Sequence, residues 1–140
     1  MFGHLIRDAV NSWTPGLGRA YRRVRDERAV STPPAPTPYG FKFAGFGRAA
    51  PAGMKDEIDV FLQYLHRSSA CIDIGANVGL YSCLAASRGK SVIAVEPLAV
   101  NLARLYKNLV CNEFLDVEVY PIGLASRPGL KRIYGTGLNA

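Results

Sequence analysis

The stretch Cys71-Ile72-Asp73-Ile74-Gly75-Ala76-Asn77-Val78-Gly79-Leu80-Tyr81 decides the fold of this 140-residue chain. Its first four residues are mostly apolar and predict the end of a buried strand. Gly75 and Gly79 follow, and a residue without Cβ allows both a sharp turn and a close approach of the backbone to a ligand. From Val78 onward the pattern becomes helical. A strand, a tight turn and a helix N-terminus together predict a binding corner that favours an anionic group.

A second apolar run, SVIAVEP from Ser91 to Pro97, supports this corner. Its β-branched residues predict a second buried parallel strand. The run contains Glu96, which lies 21 positions beyond Gly75. In a strand–helix–strand unit, an acid about 20 residues after the glycine turn accepts hydrogen bonds from the ribose hydroxyls of a nucleotide. Glu96 alone would be an ordinary surface acid, but together with the turn it predicts a nucleoside site.

The spacing of the turn separates two cofactor classes. A dinucleotide fingerprint needs glycine at its first, third and sixth positions, but Asn77 and Leu80 occupy the third and sixth here. The spacing present is Asp-x-Gly-x-Asn-x-Gly. Asparagine is sterically reasonable in the middle because it tolerates the left-handed backbone region. A nicotinamide dehydrogenase is therefore disfavoured and is kept as the alternative cofactor class.

The run DIGANVGLYS and the downstream Ala-Val-Glu-Pro resemble the FkbM family of class I S-adenosylmethionine-dependent methyltransferases. The resemblance covers roughly residue 53 to the C-terminus, with asparagine where the middle glycine of the motif usually lies. It implies S-adenosyl-L-methionine as cofactor and methyl transfer, with a small molecule or glycan oxygen as acceptor. It assigns the methionine portion to the turn and the ribose to the acid, and no catalytic base is identified. The cofactor-binding residues under this resemblance are Asp73, Gly75, Ala76, Asn77, Gly79 and Glu96.

The predicted fold class is α/β: the N-terminal half of a Rossmann-like methyltransferase sheet, with three parallel core strands, helices and flanking hairpins. Apolar stripes predict helices over residues 53–66 and 78–88 and another after Pro97, with Arg104 and Lys107 facing solvent. A third strand is predicted over residues 117–122, with a hairpin arm over 130–134 pairing back.

The resembled family has more strands than this sequence encodes, so we expect a truncated domain. The free edge of the first strand would then recruit a complementing chain or self-associate. A non-catalytic remnant that binds S-adenosylmethionine, or an interaction module, is the alternative function.

The formal charge of +6 is uneven along the chain. Residues 1–50 hold eight Lys and Arg against three Asp and Glu, whereas residues 51–140 hold nine against eight. Residues 1–38 are therefore interpreted as a basic arm and proline-rich linker, and residues 39–140 as the partial methyltransferase domain. An arm of this kind can touch nucleic acid or anionic lipid. The cluster is short and contains acids, which favours a solvated leader and makes nucleic acid the weaker alternative.

Three isolated cysteines, Cys71, Cys83 and Cys111, have no C-x-x-C spacing and indicate free thiols in a reducing compartment. The two histidines are isolated, so no metal site is expected. No apolar run approaches the roughly 20 residues that a membrane span requires. The N-terminus also lacks the apolar segment of a secretory signal. We therefore expect a cytoplasmic protein.

Overall fold

The computed structural model describes residues 31–45 and 54–133, so the predicted basic arm over residues 1–30 lies outside the described residues. The described residues form two short strands, followed by three helices that alternate with three further strands. In chain order these are β1 (Ala35–Pro36), β2 (Lys42–Phe43), α1 (Lys55–His66), β3 (Ala70–Ile74), α2 (Leu80–Ala86), β4 (Ser91–Val95), α3 (Ala99–Val110) and β5 (Glu118–Tyr120).

Strands β3, β4 and β5 form a parallel sheet in that order, so the α/β class predicted from the sequence is confirmed. Strand β3 pairs with β4 along its whole length, from Ala70 opposite Ser91 to Ile74 opposite Val95. Because the strands are parallel, their carboxyl ends meet at one edge of the sheet. The glycine turn follows β3 and Glu96 follows β4, so both lie at that edge.

All three helices contribute to one apolar core on a single face of the sheet. Ala94 and Val119 belong to that face and pack in the core with residues from the helices. Ile58 of α1, Leu84 of α2 and Leu105 of α3 are fully buried there. Since alternate strand residues point to opposite faces, the strand residues next to Ala94 and Val119 lie on the other face of the sheet.

The opposite face of the sheet is open over β3. Ile72 and Ile74 are each 65% exposed, and Tyr120 on the same face is 44% exposed. The N–H of Gly75 bonds to Val95, and the carbonyl of Ser69 accepts from Ser91. The ladder pattern of parallel strands therefore directs the N–H and C=O groups of Ile72 and Ile74 away from β4. Among the described strands, β3 is thus an edge strand of the sheet, and its exposed face is apolar.

The β1–β2 hairpin takes its first strand from the proline-rich stretch that was interpreted as a linker. Ala35 pairs with Phe43 and Pro36 with Lys42. Thr37 closes the turn by donating from its N–H and its hydroxyl to the carbonyl of Phe41, at 2.9 and 2.7 Å. Proline is tolerated here because a two-residue edge strand does not need its missing donor.

Two predictions are wrong: the exposure of Arg104 and the hairpin arm after β5. Arg104 was expected in solvent but is only 2% exposed, since it lies on the face of α3 that also carries Leu105. The hairpin arm predicted to begin at Leu130 is not formed in its described part, residues 130–133, where Leu130 is fully exposed. Strand β5 ends before Pro121, which cannot donate to the ladder. Over the ranges that the structure describes, no helix is long and apolar enough to cross a membrane.

Candidate functional site

The turn after β3 contains three residues with left-handed backbone conformations: Gly75 at φ +76°, Asn77 at +52° and Gly79 at +87°. The prediction that asparagine would tolerate this region is confirmed. At Gly75 a Cβ would meet no atom within 4 Å, so the space beside the turn is open. At Gly79 a Cβ would collide with Leu105 of α3. Backbone conformation explains the first glycine, and both conformation and packing explain the second.

Glu96 joins the end of β4 to the turn. Its Oε2 accepts a hydrogen bond from the N–H of Asn77 at 2.9 Å. Its Oε1 accepts from the N–H of Leu98 at 2.9 Å and from Nδ2 of Asn101 at 3.2 Å. Each carboxylate oxygen offers two lone pairs, so Oε1 is filled by these bonds whereas Oε2 keeps one acceptor position. The structure therefore brings the two predicted halves of the site together.

Asp73 lies beneath the turn and faces α2. Ser82 donates two hydrogen bonds to its Oδ2, from the backbone N–H at 3.0 Å and from the hydroxyl at 2.6 Å. The N–H of Ser82 is one of the groups at the start of α2 that have no partner within the helix. The anionic group expected at this helix N-terminus is thus a side chain of the chain itself. Both bonds end on Oδ2, so they leave Oδ1 to other partners.

The electrostatic environment of Asp73 disfavours its charged form. Burial raises the pKa of its carboxyl above the ordinary 3.8, and the nearby carboxylate of Glu96 raises it further. The two hydrogen bonds from Ser82 act in the opposite direction. Two carboxylates in one partly buried corner stabilise a cationic ligand, because its charge offsets their mutual repulsion.

Tyr81 links this corner to α1. Its hydroxyl donates to Oε1 of Glu57 at 2.6 Å, and its ring meets that of Phe61 edge-on at a centroid distance of 4.9 Å. Burial and the hydrogen bond to Glu57 raise the pKa of the Tyr81 hydroxyl, so it stays protonated near neutral pH. The sequence patterns did not identify this pair, because the two residues lie on different helices.

Asn101 and Asn108 are two further polar residues at the turn that the sequence patterns did not identify. Asn101 holds Glu96, and Asn108 donates from Nδ2 to the carbonyl of Val78 at 2.8 Å. Both asparagines are buried on α3, seven residues apart and therefore on one face. The available signal was the seven-residue spacing of the two asparagines, which places both on the helix face that carries Leu105.

Two cavities lie away from the turn. One of about 770 Å³ follows the outer surface of α1 from Asp59 to Arg67. The other, of about 480 Å³, lies at the amino ends of the parallel strands and includes Cys71, Lys90 and Glu118. Their size alone does not make either the ligand site, because neither contains the carboxylates of the glycine corner. Among the residues described, no cluster of three His, Cys, Asp or Glu side chains is arranged to hold a metal.

These features define an α/β protein with a candidate ligand-binding corner at the carboxyl edge of a parallel sheet. The sequence matches no protein-family model, and it matches neither a curated protein nor a solved structure. Function is therefore inferred from the geometry of the corner and from the motif within it.

Proposed function

We propose that the chain binds S-adenosyl-L-methionine at the Gly75–Gly79 turn and serves an enzyme that methylates an oxygen of a small molecule or glycan. The observation that carries this proposal is the 2.9 Å hydrogen bond from Asn77 N–H to Glu96 Oε2. It brings the acid after β4 against the turn after β3, as one nucleoside contacting both elements requires. The motif's resemblance to FkbM methyltransferases then favours a methyl donor over a dinucleotide.

The residues present fit this cofactor. The remaining acceptor position on Glu96 Oε2 suits a ribose hydroxyl, and the space beside Gly75 admits a ligand close to the backbone. The carboxylates of Asp73 and Glu96 suit a ligand that carries an ammonium and a sulfonium group. Ala76 donates its N–H to the carbonyl of Val95 and thereby helps to fix the turn.

When bound, the cofactor supplies a methyl group that its sulfonium already makes electrophilic. The chain's own task is to orient that group and exclude water, so proximity supplies much of the acceleration. Glu96 is only 4% exposed, and neighbouring residues must therefore open before a ribose reaches it. No general base is identified among the described residues.

The open edge and face of β3 support completion of the sheet by further polypeptide. Ile72 and Ile74 are exposed on that face, whereas strands in doubly wound sheets are covered on both sides. We propose that a complementing strand, or self-association at this edge, covers them. In such sheets ligands bind beside the switch point, so the acceptor pocket would form at this junction.

A non-catalytic cofactor-binding remnant is the second candidate, favoured by the same uncovered face. Calorimetric titration with S-adenosylhomocysteine tests binding, and a methyl-transfer screen with S-adenosylmethionine tests turnover. Binding without turnover supports the remnant, and tighter binding of NAD than of S-adenosylhomocysteine refutes the methyl-donor proposal. Glu96→Ala is expected to weaken binding by about 1–3 kcal/mol. Glu118→Ala, at an exposed acid bonded to Tyr120, is the matched control.

A further inference from the structure

Asn108 and Asn112 fasten the segment of residues 42–45 to α3 and its C-terminal end. Asn112 accepts a hydrogen bond from Lys42 N–H at 2.7 Å and donates to the Lys42 carbonyl at 2.7 Å. Asn108 makes the same pair of bonds with Ala44, at 2.7 and 3.0 Å. Each side-chain amide pairs with the backbone much as a neighbouring strand would. The segment is thus held at two of its residues, Lys42 and Ala44.

Asn108 makes one contact that Asn112 does not share. Its Nδ2 also donates to the carbonyl of Val78, which lies inside the glycine turn. An asparagine amide nitrogen has two hydrogens, and Asn108 uses one on Ala44 and the other on Val78. The side chain is 0% exposed, so water cannot readily replace either bond. One buried amide therefore connects the segment to the turn.

Gly45 provides an independent contact between the same two regions. A Cβ at this position would lie 3.1 Å from Cγ2 of Val78 and 2.9 Å from Cε1 of Phe43. The backbone at Gly45 therefore runs directly against Val78. The segment and the turn meet both through a hydrogen-bonded amide and through van der Waals packing.

We propose that Asn108 is a positioning residue that couples the glycine turn to residues 42–45, so that a ligand bound at the turn also tightens this segment. The ligand contacts the turn, Asn108 fixes the carbonyl of Val78, and the same amide holds Ala44. The effect of a ligand rests on the proposed function. The coupling itself depends only on contacts within the chain, and it can be tested separately.

Amide hydrogen exchange of the ligand-free 140-residue chain, followed by NMR, tests the coupling. In Asn108→Ala, the amides of Asn77 and Gly79 are expected to exchange about tenfold faster, as the loss of one net hydrogen bond predicts. Asn112→Ala is the matched control, and it should accelerate exchange at Lys42 while the turn keeps its wild-type rates. Unchanged turn amides in a folded Asn108→Ala protein would overturn the proposal.

Gly45→Ala provides a second route if Asn108→Ala does not fold. It leaves both asparagines in place and displaces Val78, so faster exchange in the turn is again expected; wild-type rates would overturn the coupling. In the ligand arm, S-adenosylhomocysteine should slow exchange at Ala44 in the wild type and in Asn112→Ala, but not in Asn108→Ala. Binding without any effect at Ala44 refutes the transmission to the segment. Absence of binding refutes the proposed cofactor, and the ligand-free arm still decides the coupling.

Discussion

Replacing Glu96 with glutamine tests whether this side chain holds the turn in shape. The carboxylate accepts three hydrogen bonds, from the N–H groups of Asn77 and Leu98 and from the side chain of Asn101. Glutamine has a single acceptor oxygen. In the better orientation that oxygen keeps the two bonds on the Oε1 side, and the amide NH₂ then faces the N–H of Asn77. Two donors oppose each other in a site where Glu96 is 4% exposed.

The expected cost follows from these contacts. A hydrogen bond to a charged group contributes about 1.5–3 kcal/mol, and a buried donor left without an acceptor costs a similar amount. We expect Glu96→Gln to lower the free energy of unfolding by about 2–3 kcal/mol at neutral pH. Asn101→Ala should cost about 1 kcal/mol, because Leu98 still donates to the same oxygen.

Urea denaturation followed by circular dichroism measures these differences, provided that the dependence of free energy on urea is the same for each protein. Glu118→Gln is the control, since this exposed acid bonds only Tyr120 among the described residues; its effect should stay below about 0.5 kcal/mol. If Glu96→Gln is as stable as this control, the hydrogen bonds of Glu96 do not stabilise the turn. The geometric basis for a shared nucleoside site would then be lost.

Asp73→Asn is expected to raise the free energy of unfolding at pH 7, measured by urea denaturation. The folded chain raises the pKa of Asp73, so wild-type stability should fall as pH rises from below 3.8 through the folded value, and the advantage of the variant should vanish below 3.8. Glu113→Gly should stabilise the chain by about 0.5–1 kcal/mol in thermal denaturation, because Glu113, in the turn that follows α3, has a φ of +59°; a lower melting temperature would contradict this. Ile72→Lys, on the open face, should change stability by less than about 0.5 kcal/mol and reduce any self-association seen by sedimentation. Unfolding of this variant would mean that the face is covered.

The sequence was sufficient to predict the structure where only a few residue types can adopt the backbone conformation that a position requires. Asn77 could be placed in the left-handed region because few other side chains tolerate it, and Glu96 could be placed beside it because parallel strands bring their carboxyl ends together. The orientation of Asp73 could not be predicted in the same way. A carboxylate at a strand end can face a ligand or cap the next helix, and only the position of Ser82 shows that it caps α2.

Buried polar residues on α3 were the hardest to predict. Arg104 and Asn108 look like solvent-facing residues when each is judged by type, yet both lie on the inner face of the helix. Their burial depends on partners distant in sequence, such as Ala44, which lies 64 residues before Asn108. Periodicity identifies the inner face of a helix, but it does not show which polar groups will find partners there.

The contacts around the turn bear differently on the two parts of the proposed function, ligand binding and methyl transfer. The bonds that tie the turn to β4, to the acid after it and to α3 involve Val95, Glu96 and Asn108. None of these bonds requires the open edge of β3 to be paired. The corner can therefore adopt its shape without a partner strand on β3, whereas the acceptor pocket proposed beside that strand would need one. If the proposed function holds, the 140-residue chain should bind S-adenosylhomocysteine alone, and methyl transfer should appear only when polypeptide is added at Ile72 and Ile74.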